Sequence, residues 1–70
     1  MQRHPVQSRS IITVGYDPVV QVLDIEFHTG RIYRYAGVPE HVHEELLAAP
    51  SIGAYVAHHI KPRYPATELR

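Results

Sequence analysis

Two short segments of this chain combine arginine or lysine with tyrosine, a combination that suits nucleic-acid binding. They are Arg31-Ile-Tyr-Arg-Tyr35 and Lys61-Pro-Arg-Tyr64. Arginine and lysine contact phosphates, whereas aromatic rings stack on bases. A solvated surface has the same local composition, so the interpretation stays open at this point. The candidate binding residues are Arg31, Arg34, Lys61, Arg63 and Tyr64, with Arg3 and Arg9 as contacts from the N-terminal arm.

Six histidines raise the question of a metal site, but their spacing argues against one. His41 and His43 lie two positions apart, which would point them about 200° apart on a helix. The chain has no cysteine, and structural zinc requires four converging ligands. We therefore expect no metal and no other cofactor.

The hydroxyl groups do not form a recognisable hydrolytic site. Ser51 is well placed to cap a helix, and Ser8 and Ser10 lie in or next to the N-terminal arm. No Gly-x-Ser-x-Gly segment occurs. Because a chain of this size rarely encloses a substrate cavity of ~300 Å³ or more, we expect no enzyme and identify no small-molecule substrate.

The 70 residues and their composition indicate one small domain. A chain this short is marginally stable alone, and without cysteine it cannot use disulfides, which leaves oligomerisation as a route to stability. No apolar run approaches the ~20 residues of a membrane span, and no apolar segment follows the start as in a secretory signal. We expect a soluble cytoplasmic domain. Its zero net charge excludes a global basic field.

Gly30 separates two segments that predict a β-hairpin. Leu23, Ile25 and Phe27 alternate with polar residues, which is typical of a half-buried strand. A two-residue loop would place Arg34 in the apolar row. A three-residue loop, residues 28–30, with Gly30 in the left-handed conformation, instead pairs Asp24 with Arg34. That register places Tyr33 and Tyr35 on the core face, so we choose it.

The remaining elements complete an α+β prediction. Residues 11–16 form a first strand, and a four-residue loop over Asp17–Val20 joins it to the hairpin. Pro39 opens one helix, Ser51 caps a second, and Gly53 marks a close helix contact. The expected fold is a three-stranded antiparallel meander with two short helices on one face, in the order β-β-β-α-α. Residues 1–9 form a flexible arm, residues 10–65 the domain and residues 66–70 a tail.

The opposite sheet face carries more apolar residues than a solvated face requires. They are Ile11, Thr13, Val22 and Ile32. Scattered exposed apolar residues are normal, but in so small a domain they can also form a contact patch. We expect a homodimer that uses this face or an unprotected sheet edge.

An ordered series of short motifs over about residues 8–65 resembles the KTSC domain, a small bacterial domain. These motifs are Gly15-Tyr-Asp17, Leu-x-Ile-x-Phe27, Gly30-x-x-Tyr-x-Tyr35, Val38-Pro39, Ala49-x-Ser-x-Gly-x-Tyr55 and Ile60-Lys-x-x-Tyr64. The domain occurs at the C-terminus of some lysyl-tRNA synthetases and also as a free-standing protein. The family's Tyr-x-Tyr falls on Tyr33 and Tyr35, and its Ser-x-Gly falls on Ser51 and Gly53. Ala57 and Lys61 depart from the expected Asn and Arg.

The resemblance implies no activity, since the family has none established, but the link to a tRNA synthetase suggests RNA binding. The leading hypothesis is a non-enzymatic, homodimeric domain that binds RNA or DNA. The alternative is a protein–protein interaction module that uses the outer sheet face or a sheet edge.

Overall fold

The computed structural model describes residues 1–70 and is built around a five-stranded antiparallel sheet. The strands lie in chain order across the sheet: β1 (Arg3–Pro5), β2 (Ile11–Asp17), β3 (Val22–Phe27), β4 (Ile32–Ala36) and β5 (Ala66–Glu68). The α+β class and the central meander are confirmed. The prediction of three strands is wrong, because β1 and β5 extend the sheet at its two edges.

Two helical segments follow the meander. Helix α1 spans Glu40–Ala48, with Pro39 just before its first turn. Helix α2 spans Ile52–Tyr55 and continues directly into a π-helical segment, Val56–Ile60. Neither helical segment has the length and apolar character that a membrane-spanning helix requires.

The two edge strands come from segments that were predicted to be an arm and a tail outside the sheet. Arg3 lies opposite Gly15 in the β1–β2 pair, and Ala66 lies opposite Tyr35 in the β4–β5 pair. Each strand has only three residues, all exposed. Short, polar edge strands leave no apolar alternation in the sequence, and they also give neighbouring chains little edge to pair with.

The β3–β4 hairpin has the predicted register. Asp24 lies opposite Arg34, and Leu23 and Ile25 lie opposite Tyr35 and Tyr33. Gly30 has a φ of 92°, a conformation that glycine adopts without a Cβ penalty. The hairpin therefore places both tyrosines on the core face, with Tyr35 buried and Tyr33 half-buried.

The β2–β3 pairing differs from the prediction in two ways. Asp17 pairs with Val22, so the loop runs over residues 18–21 instead of 17–20. The Asp17 carboxylate accepts a hydrogen bond from the Val19 backbone N–H at 2.9 Å, which stabilises this turn as an Asx-turn. In addition, the register shifts between Ile11 and Thr13. This bulge places Ile11 opposite Phe27 and brings its side chain into the core.

The core lies between the sheet and the helices. Its buried members are Ile11, Val14, Leu23, Ile25, Tyr35, Val38, Val42, Leu46, Val56 and Ile60. At its border the Tyr16 hydroxyl donates to the Val38 carbonyl at 2.6 Å. The Tyr16 ring stacks on His43 of α1, with the ring centroids 4.6 Å apart. Tyr16 thus links the sheet to both the start and the middle of the first helical region.

The predicted roles of Ser51 and Gly53 are confirmed. The Ser51 hydroxyl accepts a hydrogen bond from the Ala54 N–H at 3.2 Å, as an N-cap does. A Cβ added to Gly53 would lie 2.5 Å from the Ser10 hydroxyl oxygen. Glycine therefore allows α2 to approach the segment that precedes β2.

The outer face of the sheet carries a charged row across its centre. Arg34 donates two hydrogen bonds to the Asp24 carboxylate, at 2.8 and 3.0 Å, although the Asp24 side chain is only 5% exposed. Next to Asp24, a Cβ on Gly15 would lie 2.7 Å from Arg3 Cγ. Gly15 thus leaves room for the Arg3 side chain to cross β2 on this face.

The predicted partner face is not an exposed apolar patch. Ile11 is 0% exposed because the bulge turns it inward, and Ile32 is 3% exposed. The C-terminal segment runs beside Ile32, whose N–H donates to the Arg70 carbonyl at 2.8 Å and whose carbonyl accepts from the Leu69 N–H at 2.7 Å. The other two members of the patch, Thr13 and Val22, are half-buried. The residues expected to contact a partner are therefore largely used within the domain.

The partial burial of the His43 ring predicts a loss of stability at acidic pH. Burial lowers the pKa of His43 below its usual 6.5. In the unfolded chain His43 takes up a proton near pH 6.5, whereas in the folded domain it does so only at a lower pH. The free energy of unfolding therefore falls as the pH drops from 6.5 towards the lowered pKa. Thermal unfolding followed by circular dichroism at about pH 7.5 and about pH 5 measures this change.

Two substitutions separate His43 from the other histidines. His43→Gln is expected to reduce the pH dependence of the unfolding midpoint, because it removes the titrating ring. His41→Gln, on the exposed side of the same helix, is the matched control, and His43→Gln is expected to have the larger effect of the two. An unchanged pH dependence in His43→Gln would contradict the assignment.

Candidate nucleic-acid interface

The largest cavity is an open groove of about 460 Å³ beside the β3–β4 hairpin. Four separate parts of the chain form its walls: the segment before β2, the end of β3 with its turn, β4, and the turn after the π-helical segment. Its lining residues are Arg9, Ser10, Phe27, His28, Thr29, Tyr33 and Lys61. We call this the hairpin groove.

An aromatic pair and a cation form the inner wall of the hairpin groove. The rings of Phe27 and Tyr33 meet edge to face, with centroids 5.8 Å apart and an interplanar angle of 75°. Lys61 Nζ lies over the Phe27 ring, 5.3 Å from its centroid, within the range of a cation–π contact. The groove thus combines aromatic surface with an exposed ammonium group.

Backbone contacts hold the hairpin turn against the N-terminal segment. The His28 N–H donates to the Ser10 carbonyl at 2.9 Å, and His28 Nε2 lies 3.3 Å from the Ser8 carbonyl oxygen. The Ser8 hydroxyl accepts hydrogen bonds from the N–H groups of Ser10 and Ile11 at 3.3 and 3.2 Å. These contacts fix the course of the chain on either side of Arg9, which lines the groove and is exposed.

The structure divides the predicted binding residues among separate surfaces. Arg9 and Lys61 lie together at the hairpin groove. Arg31 is nearby in the sequence but pairs with Glu68 at 2.9 Å, and Glu68 also accepts from the Tyr33 hydroxyl at 3.3 Å. Arg31 therefore has an acidic partner at the edge of the sheet.

Arg3 and Arg34 lie on the outer sheet face and do not join the hairpin groove. Arg34 is held by Asp24 through two hydrogen bonds. The guanidinium pKa of Arg34 is raised further above its usual value, first by the hydrogen bond and then by the charge of Asp24. The fold thus separates these two arginines from Arg9 and Lys61, although all four are predicted binding residues.

Arg63 and Tyr64 follow the π-helical segment in a turn. The N–H groups of Arg63 and Tyr64 both donate to the Ile60 carbonyl, at 3.1 and 3.0 Å. Tyr64 packs half-buried against the core. Neither residue lines the hairpin groove.

Five residues of the hairpin groove were not identified from the sequence as binding residues: Ser10, Phe27, His28, Thr29 and Tyr33. Phe27 was assigned to the core and His28 and Thr29 to the turn, and both assignments are also correct structurally. The available signal was an aromatic residue at the last position of a strand, directly before a polar three-residue turn. A ring at such a position lies at the border of the core and can present one edge to solvent.

A second cavity of about 340 Å³ adjoins the groove. Arg9 and Ser10 line both cavities. The remaining residues of the second cavity are Gln7, Ser8, Pro50, Ser51, Ile52, Gly53 and Ala54, and we call it the serine cavity. No group of three or more histidine, aspartate or glutamate side chains is close enough to hold a metal ion.

Comparison with known proteins shows the same fold in a relative of similar length. A crystal structure of a KTSC domain protein from Yersinia pestis superposes with a TM-score of 0.92 at 37% sequence identity, covering 99% of this chain and 97% of that one. An uncharacterized protein of Stutzerimonas stutzeri is 42% identical over 64 residues, which is 91% of this chain and 90% of that protein.

A similar segment also occurs within a much longer enzyme. A lysine–tRNA ligase of Nostoc sp. is 44% identical over 54 residues, which is 77% of this chain but 10% of the ligase. The sequence profile of the KTSC domain matches residues 7–64. That match spans most of the chain and includes the Tyr-x-Tyr and Ser-x-Gly motifs, and the chain therefore belongs to the KTSC domain family.

Proposed function

We propose that this domain binds nucleic acid at the hairpin groove and catalyses no reaction. The observation that supports this most directly is the position of Lys61 over Phe27, with Arg9 lining the same cavity. Exposed cations can contact phosphates, and the Phe27–Tyr33 pair offers aromatic surface for a base. The groove provides both within one concave site.

The occurrence of a related segment in lysine–tRNA ligases adds support from a different direction. Those enzymes join lysine to tRNA, and the matched segment is a small part of their length. An appended domain that contacts nucleic acid would help such an enzyme to hold its RNA. This favours RNA over DNA as the ligand, and the test below compares the two.

NMR titration of the ¹⁵N-labelled domain tests the proposal. Short single- and double-stranded RNA and DNA are added at low and at higher salt concentration. We expect shifts at Arg9, the hairpin turn and Lys61 that weaken as salt rises, because phosphate contacts release counterions. No shifts with any nucleic acid at low salt would overturn the proposal. Shifts confined to Arg3 and Arg34 would move the binding site to the outer sheet face.

Formation of a homodimer remains a prediction, and the outer sheet face gives it little support. The outer sheet face lacks the exposed apolar patch that was expected, and both edge strands have only three residues. The most exposed large apolar residues are Val19 and Val20 on the β2–β3 turn, at 89% and 62%. These exposed positions also leave room for the alternative function, a protein-interaction module. Sedimentation velocity over a range of concentrations distinguishes a monomer from a dimer.

A further inference from the structure

The hairpin groove and the serine cavity form one continuous surface, because Arg9 and Ser10 line both. Their linings nevertheless differ in chemistry. The hairpin groove contains two aromatic rings and Lys61. The serine cavity contains no aromatic residue and is lined by short polar side chains on one side and the first turn of α2 on the other. The two cavities therefore suit different parts of one ligand.

The hydroxyl groups in the serine cavity are arranged to donate hydrogen bonds. Ser8 Oγ accepts from two backbone N–H groups, and Ser51 Oγ accepts from the Ala54 N–H. A hydroxyl has one hydrogen to donate in addition to its acceptor capacity. Ser8 uses two acceptor positions and Ser51 uses one within the protein, and the structure shows no bond donated by either hydroxyl. Phosphate and sugar oxygens are acceptors that can receive them.

We propose, building on the function proposed above, that the ligand is a single strand of at least two nucleotides that spans both cavities. One base lies in the hairpin groove against Phe27 and Tyr33. The adjoining sugar–phosphate crosses Arg9 and Ser10 and continues along the serine cavity. Arg9, at the junction, contacts the phosphate between the two nucleotides.

This arrangement selects single strands over duplexes. In a duplex the bases are stacked and paired within the helix, so none is free to enter a concave aromatic site. A single strand presents unstacked bases and a flexible backbone that can turn from one cavity into the next. The contacts in the serine cavity involve the backbone only, so they add affinity without adding sequence preference.

A length series tests the proposal. Mono-, di-, tri- and tetranucleotides of uridine and of adenosine, and a short RNA duplex, are titrated into the labelled domain. Affinity is expected to rise at least about tenfold from mono- to trinucleotide and then to level off. Amide shifts at Gln7, Ser8 and Ser51 are expected only with ligands of two or more nucleotides. The duplex is expected to bind more weakly than the trinucleotide.

A charge introduced into the serine cavity provides the matched variant. Gln7 lines only this cavity and is exposed, so Gln7→Glu changes charge without disturbing the core. It is expected to weaken trinucleotide binding about three- to tenfold and to leave mononucleotide binding unchanged. Gln2→Glu makes the same change at an exposed residue that lines neither cavity, and is expected to affect neither ligand.

The outcomes separate this inference from the proposed function. If trinucleotides shift Phe27 and Lys61 but not Gln7, Ser8 or Ser51, and Gln7→Glu has no effect, the groove binds nucleic acid and the two-cavity path is wrong. Equal affinity for mono- and trinucleotides, or tighter duplex binding, would also overturn the path. If no oligonucleotide binds at all, the proposed function fails, and this inference fails with it.

Discussion

Reversing the charge of Lys61 is expected to weaken binding of single-stranded RNA by about ten- to a hundredfold at low salt. Lys61→Glu removes the ammonium group from the hairpin groove and places a carboxylate beside Phe27, where a phosphate would approach. Loss of this one phosphate contact is also expected to reduce the slope of log affinity against log salt by about 0.7, the contribution of each single-strand phosphate contact. Fluorescence anisotropy of a labelled oligonucleotide at several salt concentrations measures both quantities.

Arg63→Glu is the matched control for this substitution. It makes the same charge change two residues further along the chain, at an exposed residue that does not line the groove. A general electrostatic attraction would respond equally to both substitutions, whereas a site at the hairpin groove responds more strongly to Lys61→Glu. Equal losses would contradict the groove as the binding site.

The cation–π contact with Phe27 contributes about 0.5–1 kcal/mol at an exposed position, so thermal unfolding should show that Lys61→Glu remains folded.

The register of the β3–β4 hairpin can be predicted from the sequence. Two independent requirements, one apolar-aromatic face and a glycine at positive φ, agree on a single register. A shift by one residue would move every side chain of β4 to the other face. The residue pattern alone therefore determines the positions of Tyr33, Tyr35 and Arg34.

The position of the β2–β3 turn and the bulge in β2 could not be predicted from the sequence. The turn lies one residue later than predicted, with the Asp17 carboxylate bonded to the Val19 N–H and Gln21 at a φ of 57°. No glycine in the sequence marks the position with positive φ. The bulge between Ile11 and Thr13 moves Ile11 from the outer face to the core. Because Ile11 and Ile12 are both β-branched and apolar, alternation could not show which of them faces inward.

The hairpin groove could be predicted only in part, because its residues come from distant parts of the chain. Arg9 and Lys61 were identified by residue type, but their proximity depends on the packing of the N-terminal segment against the hairpin turn. Arg3, Arg31 and Arg34 had the same chemical type and were separated by the fold. Charge and aromatic content predict a binding function, whereas the hairpin groove as its candidate location depends on the tertiary structure.

Removing the Arg34 side chain is expected to destabilise the domain more than removing its partner Asp24. The Asp24 side chain is 5% exposed, whereas that of Arg34 is 43% exposed. Arg34→Met leaves a buried carboxylate without its two hydrogen bonds, which is the more costly way to break such a pair. Its expected cost is about 1.5–3 kcal/mol, which for a domain of this size lowers the unfolding midpoint by about 6–24 °C. Asp24→Ala leaves a guanidinium that water can reach, so it is expected to lower the midpoint by less.

Two further variants establish whether burial of Asp24 causes the difference. Arg31→Met removes an arginine from a pair whose side chains are 59% and 45% exposed, and should cost less than about 1 kcal/mol. The double variant Asp24→Leu/Arg34→Met removes both charges, and should recover much of the stability lost in Arg34→Met because no unpaired carboxylate remains. Thermal and urea unfolding provide the comparison. If Arg34→Met proves no more destabilising than Arg31→Met, the Asp24–Arg34 pair is an ordinary surface contact. The charged row on the outer face would then contribute little to holding the sheet together.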